Sequence, residues 1–259
     1  MKSGVVSLLF PPKCASCGSL LEFRGLGMDI SGLCEDCQKR WNSELLDTCG
    51  VCGQAVKNCN CMTDELQKAR CKGFRKRVYY LHGSGSAVQN RILFKIKNGP
   101  SMGAIDFLAD ELEKATRTLL TEESVDLSNT VLSYLPRSRK TLAASGTDQG
   151  KRLAYALSDR MGIAVANVIC RRRGKERQQK HLNMTQRRKN AKATYTIRKN
   201  SSLVGKTVIL VDDIVTTGST MAAGVCLLRG IGAERVYALA VAVDDQQKKG
   251  KTRQAVFTI

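Results

Sequence analysis

Two adjacent aspartates and the hydroxyl-rich loop after them are the residues of this 259-residue chain best suited to chemistry. Segment 208–220 reads VILVDDIVTTGST: an apolar run typical of a buried strand, then Asp212 and Asp213, then the loop and the start of a predicted helix. A helix N-terminus binds phosphate through its free N–H groups, and Gly218 lets the backbone approach closely. Carboxylates repel phosphate but suit hydroxyl groups or a metal ion, so the segment predicts a sugar-phosphate site. The residues assigned to it are Val211, Asp212, Asp213, Thr216, Thr217, Gly218, Ser219 and Thr220.

Eight of the 11 cysteines fall in closely spaced pairs between residues 14 and 61. The pattern is CxxC-x16-CxxC, followed by another CxxC pair and a CxC pair. Two such pairs supply the four thiolates of a tetrahedral zinc ion and leave no position open for water, which is typical of structural zinc. The predicted ligands of two zinc ions are Cys14, Cys17, Cys34, Cys37, Cys49, Cys52, Cys59 and Cys61. The alternatives are an interleaved pairing and a thiol redox function; Cys170 and Cys226 are expected to be buried.

The chain is strongly basic, with 42 lysines and arginines against 23 aspartates and glutamates and a formal net charge of +19. Such a charge favours polyanionic partners, nucleic acid among them. Basic residues concentrate in a first basic segment (70–77) and a second basic segment (171–199), which predict an interface for single-stranded DNA. The aromatic residues available to stack on unpaired bases are Trp41, Phe74, Tyr79 and Tyr80. Because aromatic residues make up only 5% of the chain, such positions are few.

The elements that must position these residues follow an alternation of strand and helix patterns. Predicted strands cover residues 78–81, 131–135, 164–170, 194–197, 208–211 and 236–243, and predicted helices cover 87–97, 102–120, 149–161 and 219–228. This alternation is typical of an α/β fold with a parallel sheet and right-handed crossovers. Ligands bind such sheets at the carboxyl ends of the strands, where the two aspartates are predicted to lie. The expected organisation is a zinc module over 1–70, an α/β domain over 71–246 and a polar basic tail over 247–259.

Compartment and membrane topology are predicted from what the sequence lacks. It has no apolar run of about eighteen residues, the length that a membrane span requires. Its first ten residues lack the long apolar core and cleavage site of a secretory signal. Closely paired cysteines are typical of metal ligands in a reducing compartment. We therefore expect a cytoplasmic protein without a membrane span.

Segment 208–220 resembles the phosphoribosyl-pyrophosphate signature of type I phosphoribosyltransferases. A second pattern, Gln179-x2-Leu182-x4-Arg187-x2-Asn190-x4-Tyr195, lies within the second basic segment. Together, segment 208–220, this pattern and the paired cysteines between residues 14 and 61 resemble the ComF-type competence family. The resemblance implies a type I phosphoribosyltransferase-like parallel sheet flanked by helices and preceded by a small zinc-ribbon module. It also implies binding of phosphoribosyl pyrophosphate with Mg²⁺ and transfer of ribose 5-phosphate to a nitrogen acceptor, in DNA uptake or nucleotide metabolism. Implied partners are single-stranded DNA and a protein of the competence machinery such as a helicase.

The resemblance also implies roles for individual residues. Asp212 and Asp213 would hold the ribose hydroxyls, and residues 216–220 would cradle the 5′-phosphate. The turn with Arg137, Ser138 and Arg139 would bind pyrophosphate, and Lys180, Arg187 and Arg188 would lie on a loop that closes over the site. The sequence departs from the family at residues 145–149, SGTDQ, where members carry an Arg-Gly-Phe-Asn-Gln type segment. Gly146 and Gln149 match that segment, but its arginine and its aromatic residue are missing, so the resemblance does not extend to a nucleobase or partner contact at this place.

Three other interpretations stay open. In one, segment 208–220 is only a turn and a helix cap, with the carboxylates solvated. In another, the loop binds a sugar phosphate without catalysis, and the protein acts as a single-stranded DNA-binding module or as a sensor that reports the ligand to a partner. In the third, the charges of the second basic segment form a solvated or nucleic-acid-facing loop rather than a lid.

Overall fold

A four-stranded parallel sheet forms the centre of the protein. The computed structural model describes residues 11–21, 32–99, 101–172 and 194–244. The strands are β1 (Gly73–Tyr80), β2 (Thr130–Tyr134), β3 (Ile169–Arg171), β4 (Tyr195–Ile197), β5 (Thr207–Val215) and β6 (Arg235–Asp244). The strands β1, β6, β5 and β2 pair in that order, all parallel, while β3 and β4 form a separate antiparallel pair. The predicted α/β fold with a parallel sheet is therefore confirmed.

Helices cover both faces of the sheet. They are α1 (Glu35–Leu45), α2 (Asp64–Lys68), α3 (Val88–Asn98), α4 (Met102–Glu122), α5 (Arg139–Ser145), α6 (Gln149–Met161) and α7 (Ser219–Gly230). The helix α7 lies especially close to β5, because a Cβ on Gly224 would come within 2.7 Å of Leu210 Cδ2 and 3.0 Å of Leu135 Cδ2. In the described ranges, none of these helices combines the length and the apolar character that a membrane crossing needs.

The strand β5 is longer than its apolar pattern predicts. Its pairing with β2 stops at Val211, opposite Tyr134, but its pairing with β6 continues to Val215. The two aspartates therefore sit within a strand that is paired on one side only at this level. This one-sided pairing leaves room beside the end of β5 for the turn that follows β2.

The first basic segment does not form the exposed DNA interface that its charge predicts. Arg75, Lys76 and Arg77 are buried in β1. Arg75 pairs with Glu122 and Arg77 with Glu111, both on α4, the second pair at 2.7 Å. Burial is tolerated because each charge has a partner, and a pattern of basic residues alone does not show those partners.

The aromatic residues proposed to stack on bases are mostly core residues. Trp41, Phe74 and Tyr79 are buried, and Trp41 packs edge-on against Phe107 with ring centroids 5.0 Å apart. Tyr80 is half-buried and packs edge-on against a histidine. The stacking prediction is therefore wrong for three of the four aromatic residues.

Two smaller expectations are also corrected. The predicted strand at 164–170 is reduced to β3, and Val165 makes only a single parallel bridge to Leu132. The chain leaves the sheet after that bridge in order to pair with β4. Cys226 is exposed on α7 and Cys170 is half-buried, so neither is the buried residue expected.

Candidate functional site

Asp212 and Asp213 occupy the carboxyl end of β5 and are half-buried. Each carboxylate accepts a hydrogen bond of 2.9 Å from the N–H of the residue that follows it. These bonds occupy one oxygen of each side chain. The other oxygen of Asp213 lies 3.8 Å from the guanidinium of Arg137. The pair is thus held against its own backbone and faces one cation from the neighbouring turn.

Negative charge is concentrated at this point. Burial and the neighbouring Asp213 carboxylate raise the pKa of Asp212 well above its usual value, and Arg137 opposes the rise. The first turn of α6 lies against the same carboxylate, because a Cβ on Gly150 would be 3.7 Å from Asp212 Oδ1. Two carboxylates with one cation beside them in the described part of the chain suit a ligand that brings hydroxyl groups and a divalent metal ion.

The loop after β5 leads directly into α7. Gly218 is buried and is the N-cap of α7, with a φ of +79° that favours glycine. Having no side chain, Gly218 does not cap the first-turn N–H groups itself. The N–H of Ser219 lies 3.4 Å from Thr217 Oγ1, and the hydroxyls of these two residues are 3.0 Å apart. Hydroxyls and helix N–H groups therefore meet at one place, as a phosphate ligand requires.

The turn after β2 brings one of its three predicted residues to the aspartates. Arg137 donates its N–H to Asp148 at 3.0 Å and points its guanidinium toward Asp213. Ser138 is the N-cap of α5, and its Oγ accepts the N–H of Thr141 at 2.9 Å. Arg139 is exposed at the first position of α5.

The segment at 145–149, where the sequence departs from the family, serves to join elements. Asp148 is the N-cap of α6 and accepts the N–H of Lys151 at 3.2 Å, in addition to that of Arg137. Gln149 is fully buried, and its Nε2 donates to the carbonyl of Ile96 in α3 at 2.9 Å. Asp148 was missed as a site residue, although an aspartate before a helical pattern is a recognisable N-cap signal.

The predicted lid residues Lys180, Arg187 and Arg188 lie outside the described residues, as does most of the second basic segment. Tyr195, the last position of the family pattern, is described. It is buried in β4, and burial raises its pKa to about 12.

The eight paired cysteines form two separate groups. The first metal cluster is Cys14, Cys17, Cys34 and Cys37, and the second metal cluster is Cys49, Cys52, Cys59 and Cys61. Within each cluster all Sγ atoms lie within 4.8 Å of one another. One Sγ–Sγ distance in each cluster is 3.6 Å, close to the roughly 3.8 Å expected for thiolates about 2.3 Å from a tetrahedral zinc ion. The clusters therefore fit zinc, with the sequential pairing that was predicted.

The two clusters begin with the same turn. Gly18 and Gly53 directly follow the CxxC pairs, have φ of +82° and +72°, and donate their N–H to the carbonyls of Cys14 and Cys49 at 3.0 and 2.9 Å. A left-handed glycine closes each turn so that both thiolates of the pair face one ion. Cys71, by contrast, is buried away from either cluster, and burial raises the pKa of its thiol to about 11.

A buried lysine supports the second metal cluster. Lys76 Nζ lies 3.1 Å from Cys59 Sγ and donates to the carbonyl of Cys61 at 2.8 Å. An ammonium group at this position offsets part of the negative charge of four thiolates around a divalent ion. Sequence reasoning treated Lys76 as a surface charge and therefore missed this role.

A histidine–aspartate pair at the same edge of the sheet was also missed. His82 follows β1, and its Nε2 lies 2.7 Å from Asp244 Oδ1 at the end of β6. Asp244 is buried, whereas His82 is about half exposed. The residues are distant in sequence, so only the parallel pairing of β1 with β6 shows that they meet.

Comparison with known proteins gives concordant matches. The family described as "Phosphoribosyl transferase domain" matches residues 147–259. Competence protein F of Haemophilus influenzae is 27% identical over 219 residues, 80% of this chain and 88% of that protein. Adenine phosphoribosyltransferase of Neisseria meningitidis serogroup A is 30% identical over 166 residues, 62% of this chain and 81% of that protein. The crystal structure of adenine phosphoribosyltransferase from Saccharomyces cerevisiae is 22% identical and covers 55% of this chain and 71% of that one, with a TM-score of 0.34.

Proposed function

This chain belongs to the phosphoribosyltransferase family, as a ComF-type member with two four-cysteine clusters, and on that premise we propose that it binds phosphoribosyl pyrophosphate with Mg²⁺ and transfers ribose 5-phosphate to a nitrogen acceptor. The observation that carries the proposal is the meeting of three groups at one sheet edge. They are the carboxylates that end β5, the glycine-centred loop into α7, and the Arg137 guanidinium 3.8 Å from Asp213.

In the proposed complex, the loop binds the 5′-phosphate of the ligand, and the two aspartates bind its ribose hydroxyls. The hydroxyls and N–H groups of residues 216–220 face the phosphate, while Asp212 and Asp213 accept hydrogen bonds from the vicinal ribose hydroxyls. The raised pKa of Asp212 means that its ionised form is disfavoured in the ligand-free protein. Hydrogen bonds from the ribose hydroxyls would stabilise that ionised form when the ligand binds.

The pyrophosphate lies toward the turn after β2, where Arg137 offers the positive charge. Its binding would draw Arg137 away from Asp213 and so free that carboxylate for the sugar. In the reaction, the C1–O bond to pyrophosphate breaks, a C1–N bond forms with inversion, pyrophosphate leaves with the bonding electron pair, and the proton of the acceptor nitrogen passes to water. When bound with the substrate, Mg²⁺ would offset part of the negative charge of the pyrophosphate. The chain itself orients the sugar and stabilises the separating charges. Ser138 and Arg139 on the same turn complete the proposed contacts with the pyrophosphate. The proposed loop residues Lys180, Arg187 and Arg188 lie outside the described residues.

Calorimetric titration of phosphoribosyl pyrophosphate with Mg²⁺ tests the site. Wild-type protein should bind, and the double variant Asp212→Asn/Asp213→Asn should not, because the ribose hydroxyls lose both charged acceptors. A matched surface variant, Asp159→Asn, should bind as wild type, since Asp159 is exposed on α6. Absence of binding to the wild type would refute the proposal.

The acceptor is best sought first among purine bases, with adenine as the starting point because of the Neisseria relative's name. Release of pyrophosphate in the presence of adenine, measured against a pyrimidine base and ammonia, identifies the class of nitrogen acceptor. Binding without release in any mixture would favour a protein that retains the ligand without catalysis.

A role in competence, with single-stranded DNA and a helicase-like protein as partners, is the second proposal, supported by the name of the Haemophilus relative and by the net charge of +19. Because Arg75, Lys76 and Arg77 are buried, much of the first basic segment is not available to bind DNA. In this proposal the second basic segment supplies the contacts with DNA. Oligonucleotide affinity that falls steeply with salt would support this role. We propose a cytoplasmic location, because eight thiolate ligands need a reducing compartment.

A further inference from the structure

A residue of the zinc-binding region touches the phosphate loop. Thr63 lies two residues after the last ligand of the second metal cluster and packs directly on Gly218. A Cβ on Gly218 would overlap Thr63 Oγ1 and would lie only 3.2 Å from Thr63 Cβ and 3.4 Å from Thr63 Cγ2. The threonine side chain therefore fills the space beside the one loop residue that has no side chain of its own.

Thr63 is held in place from both sides along the chain. On its C-terminal side it is the N-cap of α2, where Oγ1 accepts the N–H of Leu66 at 3.4 Å. On its N-terminal side, Cys61 donates its N–H to Cys59 Sγ at 3.3 Å. Lys76 in β1 binds the carbonyls of both cysteines, at 3.3 and 2.8 Å. The position of Thr63 is thus set by the second metal cluster and by the sheet.

The helix α2 also contacts the far end of α7. Arg229, in the last turn of α7, donates to the carbonyl of Ala69 at 3.4 Å, directly after α2. Leu66, which is fully buried, anchors α2 in the same hydrophobic cluster as Val225 of α7. The helix that begins at the phosphate loop is therefore contacted along its length by the segment that leaves the second metal cluster.

We propose that the second metal cluster positions the phosphate loop through Thr63, so that affinity for the sugar phosphate depends on metal at this cluster and not at the first one. The proposal rests on the sugar-phosphate site proposed above. Thr63 acts as a positioning residue: it touches the backbone of Gly218 and restricts the loop to the conformation that receives phosphate.

The physical reason is preorganisation. A short cysteine-rich segment loses its fixed turns when its metal is removed, because the metal supplies most of the folding free energy of such a unit. Thr63 would then move away from Gly218, and the loop would have to be ordered by the ligand itself, at a cost in affinity. Misplacement of a binding group by about 1 Å can lower catalytic efficiency by a factor of about a hundred, so we expect roughly a ten- to hundredfold loss of affinity.

The first metal cluster offers a matched control, because its contacts lie elsewhere. Ser16 Oγ lies 3.4 Å from the carbonyl of Val88, and Lys95 Nζ lies 3.3 Å from the carbonyl of Cys14. Both partners belong to α3, not to the phosphate loop or to α7. Cys17 and Cys52 close the first CxxC turn of their respective clusters, and both are exposed. Their serine variants remove equivalent ligands with little effect on packing.

The experiment compares full-length wild type, Cys52→Ser and Cys17→Ser. Zinc content is measured by elemental analysis, ribose 5-phosphate binding by calorimetry, and exposure of the loop amides at 216–220 by hydrogen exchange. We expect each variant to lose one zinc ion. Only Cys52→Ser should bind ribose 5-phosphate ten- to hundredfold more weakly and exchange faster at the loop. Equal affinity and exchange in the two variants would overturn the proposal.

Thr63 itself provides a second test if Cys52→Ser does not fold. Thr63→Ala should keep both zinc ions but weaken binding and speed exchange at the loop, and Thr63→Ser, which retains the oxygen, should restore both. If wild type binds neither ribose 5-phosphate nor phosphoribosyl pyrophosphate with Mg²⁺, the proposed function fails instead, and hydrogen exchange at 216–220 still decides whether the cluster orders the loop. Unchanged exchange in Thr63→Ala would refute the positioning role.

Discussion

Replacing Asp212 by asparagine should stabilise the ligand-free protein while it abolishes sugar-phosphate binding. Asparagine keeps the shape of the side chain and the oxygen that accepts the Asp213 N–H at 2.9 Å. It removes a half-buried carboxyl group whose pKa is raised by burial and by the neighbouring Asp213 carboxylate. Sites built for a ligand commonly carry such a stability cost.

The magnitude follows from the charges. If the carboxylates of these adjacent residues are taken to be about 5 Å apart, they repel by about 3 kcal/mol at an effective dielectric constant near 20, and by about 1 kcal/mol in water, the condition of the unfolded chain. Arg137, 3.8 Å from Asp213, offsets part of the difference. We therefore expect the free energy of unfolding to rise by about 1–2 kcal/mol, a rise in Tm of about 3–6 °C for a chain of this size.

The effect should depend on pH with a defined sign. The pKa of Asp212 is higher in the folded than in the unfolded protein. The free energy of unfolding of the wild type therefore falls as the pH rises from the unfolded-state pKa to the folded-state pKa, and it stays low at higher pH. The asparagine variant lacks this loss. Thermal melts by calorimetry at about pH 4.5 and about pH 8 should therefore show a larger gap at the higher pH. A lower Tm for the variant, or a gap that does not change with pH, would refute this electrostatic account.

Three further predictions concern the core, the loop and the metal clusters. Replacing Arg77 by methionine should lower the free energy of unfolding by about 1.5–3 kcal/mol, since the buried Glu111 loses its hydrogen bonds from Arg77 and keeps that from Lys114 at 2.8 Å. Arg117→Met on the surface should cost under about 1 kcal/mol, and urea unfolding measures both. Gly218→Ala should weaken ribose 5-phosphate binding at least tenfold, because the added Cβ overlaps Thr63 and a φ of +79° costs alanine about 1–2 kcal/mol. Gly230→Ala is the control, and an equal loss of binding in that variant would argue against this reason. Elemental analysis should find two zinc ions per chain, a number that Cys71→Ser should leave unchanged.

Helix and strand patterns in the sequence were enough to predict most of the α/β domain. The helices at 102–120 and 149–161 and the central strands are observed within a few residues of their predicted bounds, because each has one clear apolar face or a fully buried run. Prediction failed at β1, where three consecutive charges are buried. Their partners lie on α4 and at the second metal cluster, far away in sequence, so no local pattern could reveal them.

The sequence by itself determined the chemistry available to this protein. Local spacing alone predicts eight thiolates for two metal ions, two carboxylates at the end of a strand and a glycine at the start of a helix. Only the tertiary structure decided which of these groups meet. The pairing of Arg137 with Asp213, the ammonium of Lys76 beside Cys59, and the contact of Thr63 with Gly218 all join segments that are distant in sequence. The order of the strands and the packing of α2 on α7 bring those segments together, and a pattern read along the chain carries no information about that packing.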